Sequence, residues 1–460
     1  MINLKEVKNI HCIGIGGVGL SAIAHILMSQ GYNLTGSDMN PSEIVDKLRE
    51  AGATVFSAHE ESNVEEADII VYSAAIGDDN PEVKRAKEKG IPMVSRAEML
   101  GHLMQQCENS IAVAGTHGKT TTTSMLSLIL KDAEMDPTIL VGGSLAELGG
   151  NVRVGGTEYF VTEACEYVDS FLSLRPKIEI ILNIDSDHLD YFRDIDHIVE
   201  SFDKFTNLVP EDGTVLAYSE NPFVNRAVKD MKNVVTFGLN ETCDYMAKNI
   251  DFDHDGLPSY ELYHHGEKLG DIKLNIPGEY NILNSIAAIA CAHLLGADVE
   301  VAKKTLAEYT GTQRRFDIHG VMENGIKVVD DYAHHPTEIK AALKAANNLT
   351  FNKLWCIFQP HTYTRTIALF DEFAASFEDA DSIIITEIYA AREKNIHKIS
   401  SSSLAEKIKE NYPDKPIVFI ESLEEIAAYI KENASDNDLV MTMGAGDVFK
   451  ICDMLLSEEA

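Results

Sequence analysis

The sequence predicts an α/β fold in three units, and three observations carry this. Apolar strand-like runs alternate with helical segments along most of the 460 residues, the pattern of parallel sheets with crossover helices. Glycine turns at Gly14–Gly19 and Gly115–Gly118 each join such a run to a helix. The length suits about three domains at ~150 residues each. The divisions are expected at 1–107, 108–315 and 316–460, with short connectors near 107 and 315 and no internal repeat or long flexible linker.

In the first unit Ile10–Ile15 reads as a strand, Val18–Gln30 as a helix, Tyr32–Ser37 as a strand and Ser42–Ala51 as a helix. Ile69–Ser73 is a further strand and Pro81–Lys89 a further helix. The second unit begins with strand Ile111–Ala114 and a helix from Lys119 to about Lys131. It continues through strands Phe160–Glu163 and Ile178–Ile184. Residues 233–276 are strand-like, with His264-His265-Gly266-Glu267 as a hairpin turn, and an apolar helix follows over Asn284–Leu295. The third unit carries strands Ile326–Val329, Leu354–Phe358, Ile383–Glu387, Ile417–Ile420 and Leu439–Met443. Its helices include Thr337–Asn347, Ala405–Glu410 and a last one ending near Leu456.

A formal charge of −34 argues against a general nucleic-acid or anionic-membrane binder. An anionic ligand would need backbone amides, Mg²⁺ or a few placed cations. The seven cysteines stand singly, without a C-x-x-C pair, which points to reduced core residues rather than a disulfide framework or a zinc ribbon. No apolar run reaches the ~18 residues of a membrane span, and the first residues show no leader-like apolar region. The expectation is a cytoplasmic protein without membrane insertion.

The stretch Ala114-Gly115-Thr116-His117-Gly118-Lys119-Thr120-Thr121 carries the strongest chemical signal. Amides at a helix start face an anion, and the helix dipole favours negative charge there. Lys119 would reach the outer phosphates and the Thr120 hydroxyl a Mg²⁺ ion. Val113 stands where the usual phosphate-loop pattern has its first glycine. Gly14-Ile15-Gly16-Gly17-Val18-Gly19, with Asp38 after the next strand, matches a dinucleotide fingerprint. A diphosphate at the helix start and a carboxylate on a ribose hydroxyl satisfy it, so UDP fits as well as NAD. Tight helix–strand packing by the glycines is the alternative.

Glu163 closes one strand and His188 follows the next, both at the sheet edge that carries Lys119. A carboxylate and a neutral imidazole suit a divalent metal that also takes Thr120 and phosphate oxygens. Asp185, Asp187 and Asp190 read as solvated or capping residues. Asn281 and Asn284 share a helical face. They either read a base through paired amide donors and acceptors or, for Asn281, cap the helix. Arg314-Arg315 is either a phosphoryl clamp or a surface basic pair. In the third unit, Asp330-Asp331-Tyr332-Ala333-His334-His335-Pro336 and Gln359-Pro360-His361-Thr362-Tyr363-Thr364-Arg365 both follow strands and face one crevice. Pro336 at a helix start favours cap and substrate contacts over a metal for His334 and His335.

Together and in this order, these motifs resemble the Mur ligases of bacterial cell-wall synthesis over essentially the whole chain. The form of the Lys119 loop and of the Asp331–Pro336 loop is similar to the alanine-adding branch or its close relative. The resemblance implies an N-terminal Rossmann-like UDP-binding domain, a central P-loop ATPase domain with a parallel sheet, and a C-terminal Rossmann-like domain. It implies an ATP-driven amide bond between the carboxylate of UDP-N-acetylmuramate and L-alanine, through an acyl phosphate. Cofactors would be ATP and Mg²⁺, with Thr120, Glu163 and His188 on the metal. Gly115, Thr116, His117, Gly118, Lys119, Thr120 and Thr121 would hold the phosphates. Asn281 and Asn284 would meet the adenine, and Asp330 or Asp331 the ribose. Arg315 would contact the transferred phosphoryl group. Gly16, Gly17, Gly19, Ser37, Asp38 and Ser73 would bind the UDP-sugar. Tyr332, His334, His361 and Arg365 would position the amino acid and acyl phosphate, with His361 or His334 as candidate base.

The chain departs from the family at Tyr280, where histidine is frequent, and at Thr362, where arginine is frequent. Lys204 is not assigned as a carbamoylated lysine. The oligomeric expectation is a monomer or homodimer. The competing readings are a ligase for a recycled tripeptide, an NAD-dependent dehydrogenase and a non-catalytic nucleotide-binding regulator.

Overall fold

The computed structural model describes residues 4–391, 393–396 and 398–457. Its strands form three sheets. The first holds β1 (Asn9–Ile13), β2 (Asn33–Ser37), β3 (Thr54–Phe56), β4 (Ile69–Tyr72) and β5 (Met93–Ser95) in the order β3-β2-β1-β4-β5. Every pair is parallel. The chain reverses its direction of travel between β1 and β4, and ligands of such sheets bind at that switch point. Helices α1 (Val18–Ser29), α2 (Glu43–Glu50), α3 (Pro81–Lys89) and α4 (Arg96–Met104) cross between the strands. Their starts follow sequence chemistry: Ser42 and Asn80 cap α2 and α3, and Ser95 with Glu98 forms a capping box on α4.

The second sheet has ten strands: β6 (Asn109–Ala114), β7 (Thr138–Leu145), β8 (Gly150–Arg153), β9 (Tyr159–Ala164), β10 (Ile178–Ile181), β11 (Thr214–Tyr218), β12 (Val234–Gly238), β13 (Tyr245–Phe252), β14 (Pro258–His264) and β15 (Glu267–Lys273). Strand β6 lies between β10 and β9, parallel to both. The meander β13–β15 is antiparallel. Its last turn falls at His265 and Gly266, both at positive φ, as a two-residue hairpin requires. Helices α5 (Lys119–Asp132), α6 (Ile195–Thr206), α7 (Pro222–Ala227), α8 (Glu279–Leu294) and α9 (Val299–Glu308) complete the unit. In α5 every residue from Thr121 to Leu130 is buried, so the helix has no solvent face. Truncating Leu126 there would cost ~2–5 kcal/mol.

The third sheet is β16 (Asp317–Val321), β17 (Lys327–Asp331), β18 (Leu354–Phe358), β19 (Ser382–Ile385), β20 (Ile417–Phe419) and β21 (Leu439–Met443), in the order β16-β17-β21-β18-β19-β20. Only the edge strand β16 is antiparallel to its neighbour. Helices α10 (Pro336–Ala346) and α11 (Tyr363–Ala368) start just beyond β17 and β18. Apolar clusters cover both faces of this sheet.

Of the differences from the sequence expectation, two bear on the site. Strand β10 stops at Ile181, because the chain then turns to lay Asn183 against the backbone of His117. Helix α8 starts five residues early, at Glu279, after Gly278 at φ 104°.

Candidate active site where the three units meet

The phosphate-loop segment leaves β6 at Gly115 and enters α5 at Lys119. Gly118 caps α5 at φ 84°, and a Cβ there would lie 2.5 Å from Asn284 Oδ1, so only glycine fits. Asn183 clamps the loop by accepting from His117 N–H at 2.8 Å and donating to His117 O at 3.0 Å. The Lys119 ammonium donates to Gly115 O, to Thr116 O and to both oxygens of Glu166, the nearer at 2.9 Å. Burial opposes its charge, but the Glu166 carboxylate outweighs this and holds the ammonium above its ordinary value. Sequence reasoning missed Glu166, although it stands three residues past Glu163, just beyond the end of β9.

The expected metal donors do not share one cavity. Glu163 Oε1 accepts from Gly142 N–H at 2.6 Å. It lines a cavity of about 380 Å³ with Gly17, Gly19, Ser73 and Arg96. His188 sits at φ 53° and its ring packs on Tyr167, 4.6 Å between centroids. It lines a separate cavity of about 170 Å³ with Asp187, His361, Thr362 and Arg365. Glu166 Oε1 lies 3.9 Å from His188 Nε2 and so relates His188 to the Lys119 side. Hydroxyl, carboxylate and imidazole donors of this kind suit a hard divalent cation.

Asp187 is buried and Asp185 half-buried, and neither caps a helix. Asp185 accepts from the Thr337 hydroxyl at 2.7 Å and Asp187 from Arg365 Nε at 3.0 Å, so each joins the second unit to the third. Both carboxyls are held far below the usual range, Asp185 chiefly by its hydrogen bond to His117 and Asp187 by Arg365 against the opposing effect of burial. Asp190 stays exposed and accepts from the Tyr167 hydroxyl at 2.9 Å.

A cavity of about 360 Å³ opens between the phosphate loop, α8 and the start of α10. One side is apolar, with Tyr218, Phe223, Phe237 and Leu283, and the other is polar, with Asn281, Asn284, Arg315 and Asp331. Asn281 donates to Pro277 O at 2.7 Å and accepts from Asn284 at 3.0 Å, which leaves Asn284 Oδ1 turned toward Gly118. Tyr280 lines the same cavity.

Strand alternation separates Asp330 from Asp331. Asp331 lines the cavity, and burial raises its carboxyl to about 7. Asp330 is wholly buried and accepts from Arg314 Nε at 2.9 Å and from the Thr442 hydroxyl at 2.6 Å. It is a structural partner of Arg314 and does not border the cavity. The two arginines divide in the same way. Arg314 is pinned by Asp330 and the carbonyls of Gly444 and Gly446. Arg315 lines the cavity, its guanidinium 5.0 Å from the Tyr332 ring centre. Neither is a surface pair.

His335 caps α10: Thr337 N–H donates to its Nδ1 at 3.3 Å, and its Nε2 donates to Ser186 O at 2.9 Å. With both ring nitrogens occupied it has no lone pair for a metal. His334 donates through Nδ1 to Tyr332 O at 2.9 Å. His361 Nδ1 accepts from Arg365 at 3.1 Å. Burial pushes His334 and His361 down to about 4; Glu338 opposes this at His334, while Arg365 adds to it at both. Both are neutral at pH 7 and weak proton acceptors, which favours positioning over general-base work.

At the N-terminal cavity, Gly17, Gly19 and Ser73 line the wall but Gly16, Ser37 and Asp38 do not. Asp38 is used locally, accepting from Gly16 N–H at 2.9 Å and Asn40 N–H at 3.0 Å. Ser37 is fully buried and donates to Glu82 at 2.6 Å. Arg96, at the start of α4, reaches across Gly19 into this cavity. Sequence reasoning missed it, since only the fold brings α4 beside the glycine turn.

Comparison with known proteins adds an independent finding. Sequence models described as Mur ligase family catalytic domain, Mur ligase middle domain and Mur ligase glutamate ligase domain match residues 9–107, 113–292 and 314–446. The chain is 50% identical over 458 residues to a UDP-N-acetylmuramate–L-alanine ligase of Caldanaerobacter subterraneus subsp. tengcongensis, covering 99% of each. It is 48% identical over 461 residues to one of Acetivibrio thermocellus, covering 100% of this chain and 98% of the relative. Among solved structures it is similar to a UDP-N-acetylmuramate–alanine ligase of Thermotoga maritima, with a TM-score of 0.80, 30% identity and 98% of both chains covered. A murein peptide ligase of Psychrobacter arcticus matches with a TM-score of 0.71 and 26% identity, again over 98% of both chains.

Proposed function

The chain belongs to the Mur ligase family, and on that premise we propose that it joins L-alanine to the carboxylate of UDP-N-acetylmuramate with cleavage of ATP, in peptidoglycan precursor synthesis. The observation that carries the reading is the cavity that has both Gly118 of the phosphate loop and Arg315 of the connector in its wall. Relatives with about half of their residues identical over the whole chain bear the alanine ligase name. That weighs against the dehydrogenase and regulator readings, since the glycine turn of Gly14–Gly19 then serves a UDP-sugar. It also favours alanine over the tripeptide, in keeping with the small cavity of about 170 Å³ beside Arg365.

In this reading residues 1–107 bind UDP, 108–315 hold ATP and 316–460 complete the site. Gly17, Gly19, Ser73 and Arg96 hold the sugar nucleotide. The apolar wall takes the adenine, beside Asn281 and Asn284, and Asp331 takes the ribose. Thr120, Glu163 and His188 would hold Mg²⁺, which would supply charge neutralisation for the phosphates. Lys119 and Arg315 draw the γ-phosphoryl charge apart as the sugar carboxylate oxygen attacks phosphorus and ADP leaves. The deprotonated amine of alanine then attacks the acyl carbon, and the C–O bond to phosphate breaks. Arg365 and His361 orient the groups, and closure of the third unit excludes the water that would hydrolyse the acyl phosphate. The seven unpaired cysteines support a reducing, cytoplasmic setting. Among the described residues no helix is long and apolar enough to cross a membrane.

Phosphate release from Mg²⁺-ATP and UDP-N-acetylmuramate, with L-alanine or the tripeptide added separately, tests this. Alanine-dependent release with a product heavier by one alanyl residue is expected. Release with the tripeptide alone would move the assignment to the recycling ligase.

A further inference from the structure

We propose that His117 is a positioning residue whose protonated ring bridges two carboxylates and thereby fastens the phosphate loop to the third unit. The inference rests on the reading of the 360 Å³ cavity as the ATP site. His117 Nε2 donates to Asp185 Oδ2 and Nδ1 donates to Glu338 Oε1, both at 3.1 Å. A neutral imidazole has one donor and one acceptor. A ring facing carboxylate oxygens on both sides meets both only as the imidazolium. Asp185 belongs to the loop after β10 and Glu338 to the first turn of α10, 221 residues from His117 in sequence. The ring therefore spans the boundary between the two units at the rim of the nucleotide cavity.

The surrounding groups fix this arrangement. Asp185 Oδ2 also accepts from the Thr337 hydroxyl at 2.7 Å, and Asp185 N–H donates to the Thr116 hydroxyl at 2.9 Å. Glu338 Oε2 accepts from His334 N–H at 3.0 Å. The His335 ring lies 4.9 Å away and is held neutral in its capping role, so it adds no competing charge. Arg315 and His334 are the other cationic or titratable groups that act on Glu338, whose carboxyl stays well below the usual range although burial opposes it. Burial alone would strip the proton from His117, but the two carboxylates outweigh it and raise the ring to about 9.

Opening the third unit removes Glu338 and leaves Asp185, so the ring keeps one carboxylate partner and loses part of what raises it. The sign follows: a value raised further in the closed form gives that form an advantage that is complete while the ring is protonated in both forms and is lost as pH rises through about 9. A cation at this place also sits beside a polyphosphate, so the bridge and the nucleotide favour the same closed state. The group gives the chain a contact that senses closure from inside the phosphate loop itself.

The test is a cycle of H117Q, E338Q and the double variant in the full-length protein. Mg²⁺-ATP affinity is read by calorimetry from neutral pH to about 9.5, and the radius of gyration by solution scattering. Each single variant should weaken ATP binding about tenfold at neutral pH, and the double variant no further, because the pair acts as a unit. Wild-type affinity should fall across the alkaline range, whereas H117Q should be flat there. Additive losses, or an H117Q profile parallel to wild type, would overturn the proposal. If wild type binds no ATP, the functional reading fails instead. Scattering then decides the bridge: both variants should expand relative to wild type at neutral pH, and equal radii would refute it. Circular dichroism melts, with D185N as a second variant of the same bridge, separate unfolding from opening.

Discussion

Arg365 Nε donates to Asp187 Oδ1 at 3.0 Å, and this ion pair joins a loop of the second unit to α11 of the third across 178 residues of sequence. Both side chains are about nine-tenths buried. Breaking such a pair leaves one charge without its partner at a place that water scarcely reaches. The same guanidinium donates to His361, so removing it frees two groups in one cavity. We predict that R365A lowers kcat/KM for alanine at least about thirtyfold, the ~2 kcal/mol lower end for a truncated buried pair. R365K keeps the charge but loses the fork and should recover only part of this. Steady-state phosphate release at varied alanine measures both.

Lys119 and Glu166 make a second prediction. The ammonium and carboxylate approach to 2.9 Å with Glu166 only 3% exposed, so each neutralises the other when no phosphate is present. K119M should remove ATP turnover and also lower stability by ~3 kcal/mol or more, because Glu166 is left buried and charged. K119M/E166Q should regain most of that stability and none of the turnover. Chemical denaturation curves decide the matter. A double variant no more stable than K119M would mean that Glu166 finds another partner.

A third prediction concerns the backbone that covers Glu163. Gly142 N–H donates to Glu163 Oε1 at 2.6 Å, and a Cβ at Gly142 would lie 2.8 Å from both Glu163 oxygens. G142A must therefore push the carboxylate aside while leaving it in place chemically. We expect the Mg²⁺ concentration for half-maximal activity to rise ~10- to 100-fold, the usual effect of disturbing a ligand's support. The melting temperature should change by no more than a few degrees, since Gly142 itself is exposed. A Mg²⁺ titration of the variant, set against its melt, separates the two.

Much of this architecture was legible because it depends on local pattern. Apolar runs ending in glycine located β1 and β6, and Pro336 marked the start of α10. What escaped depends on which elements meet. Asp330 and Asp331 are adjacent in β17, and only the packing of that strand on β21 and the connector shows which of them borders the cavity. Arg314 and Arg315 pose the same question, answered by an Arg314 backbone at φ 63° that turns its side chain toward Asp330. Glu338 and Arg96 lie on helix faces that nothing in their own neighbourhood distinguishes. Asp38 shows a use that spacing does not reveal: its distance from the glycine turn suits a ribose, and in the fold its carboxylate also ties down Gly16 and Asn40.

The last prediction concerns a carboxyl that lines none of the cavities described above. Glu179 lies in the middle of β10 with no exposure, and neither oxygen has a hydrogen-bond partner among the described residues. Its strand neighbours are Ala112 and Val215. Burial raises this carboxyl well above its ordinary value, so the folded chain keeps a proton that the unfolded chain releases. The sign is opposite to that for a paired acid: the stability penalty is absent below the ordinary value near 4.5 and grows as pH rises above it. The slope approaches ~1.4 kcal/mol per pH unit until the folded-state value is reached. E179Q presents nearly the same shape without a proton to lose. It should match wild type near pH 4 and become the more stable protein toward neutral pH, by a margin that widens with pH. Denaturation midpoints of the two proteins across that range measure the margin. A constant difference would mean that Glu179 is ionised in the fold, with a partner or a water supporting its charge.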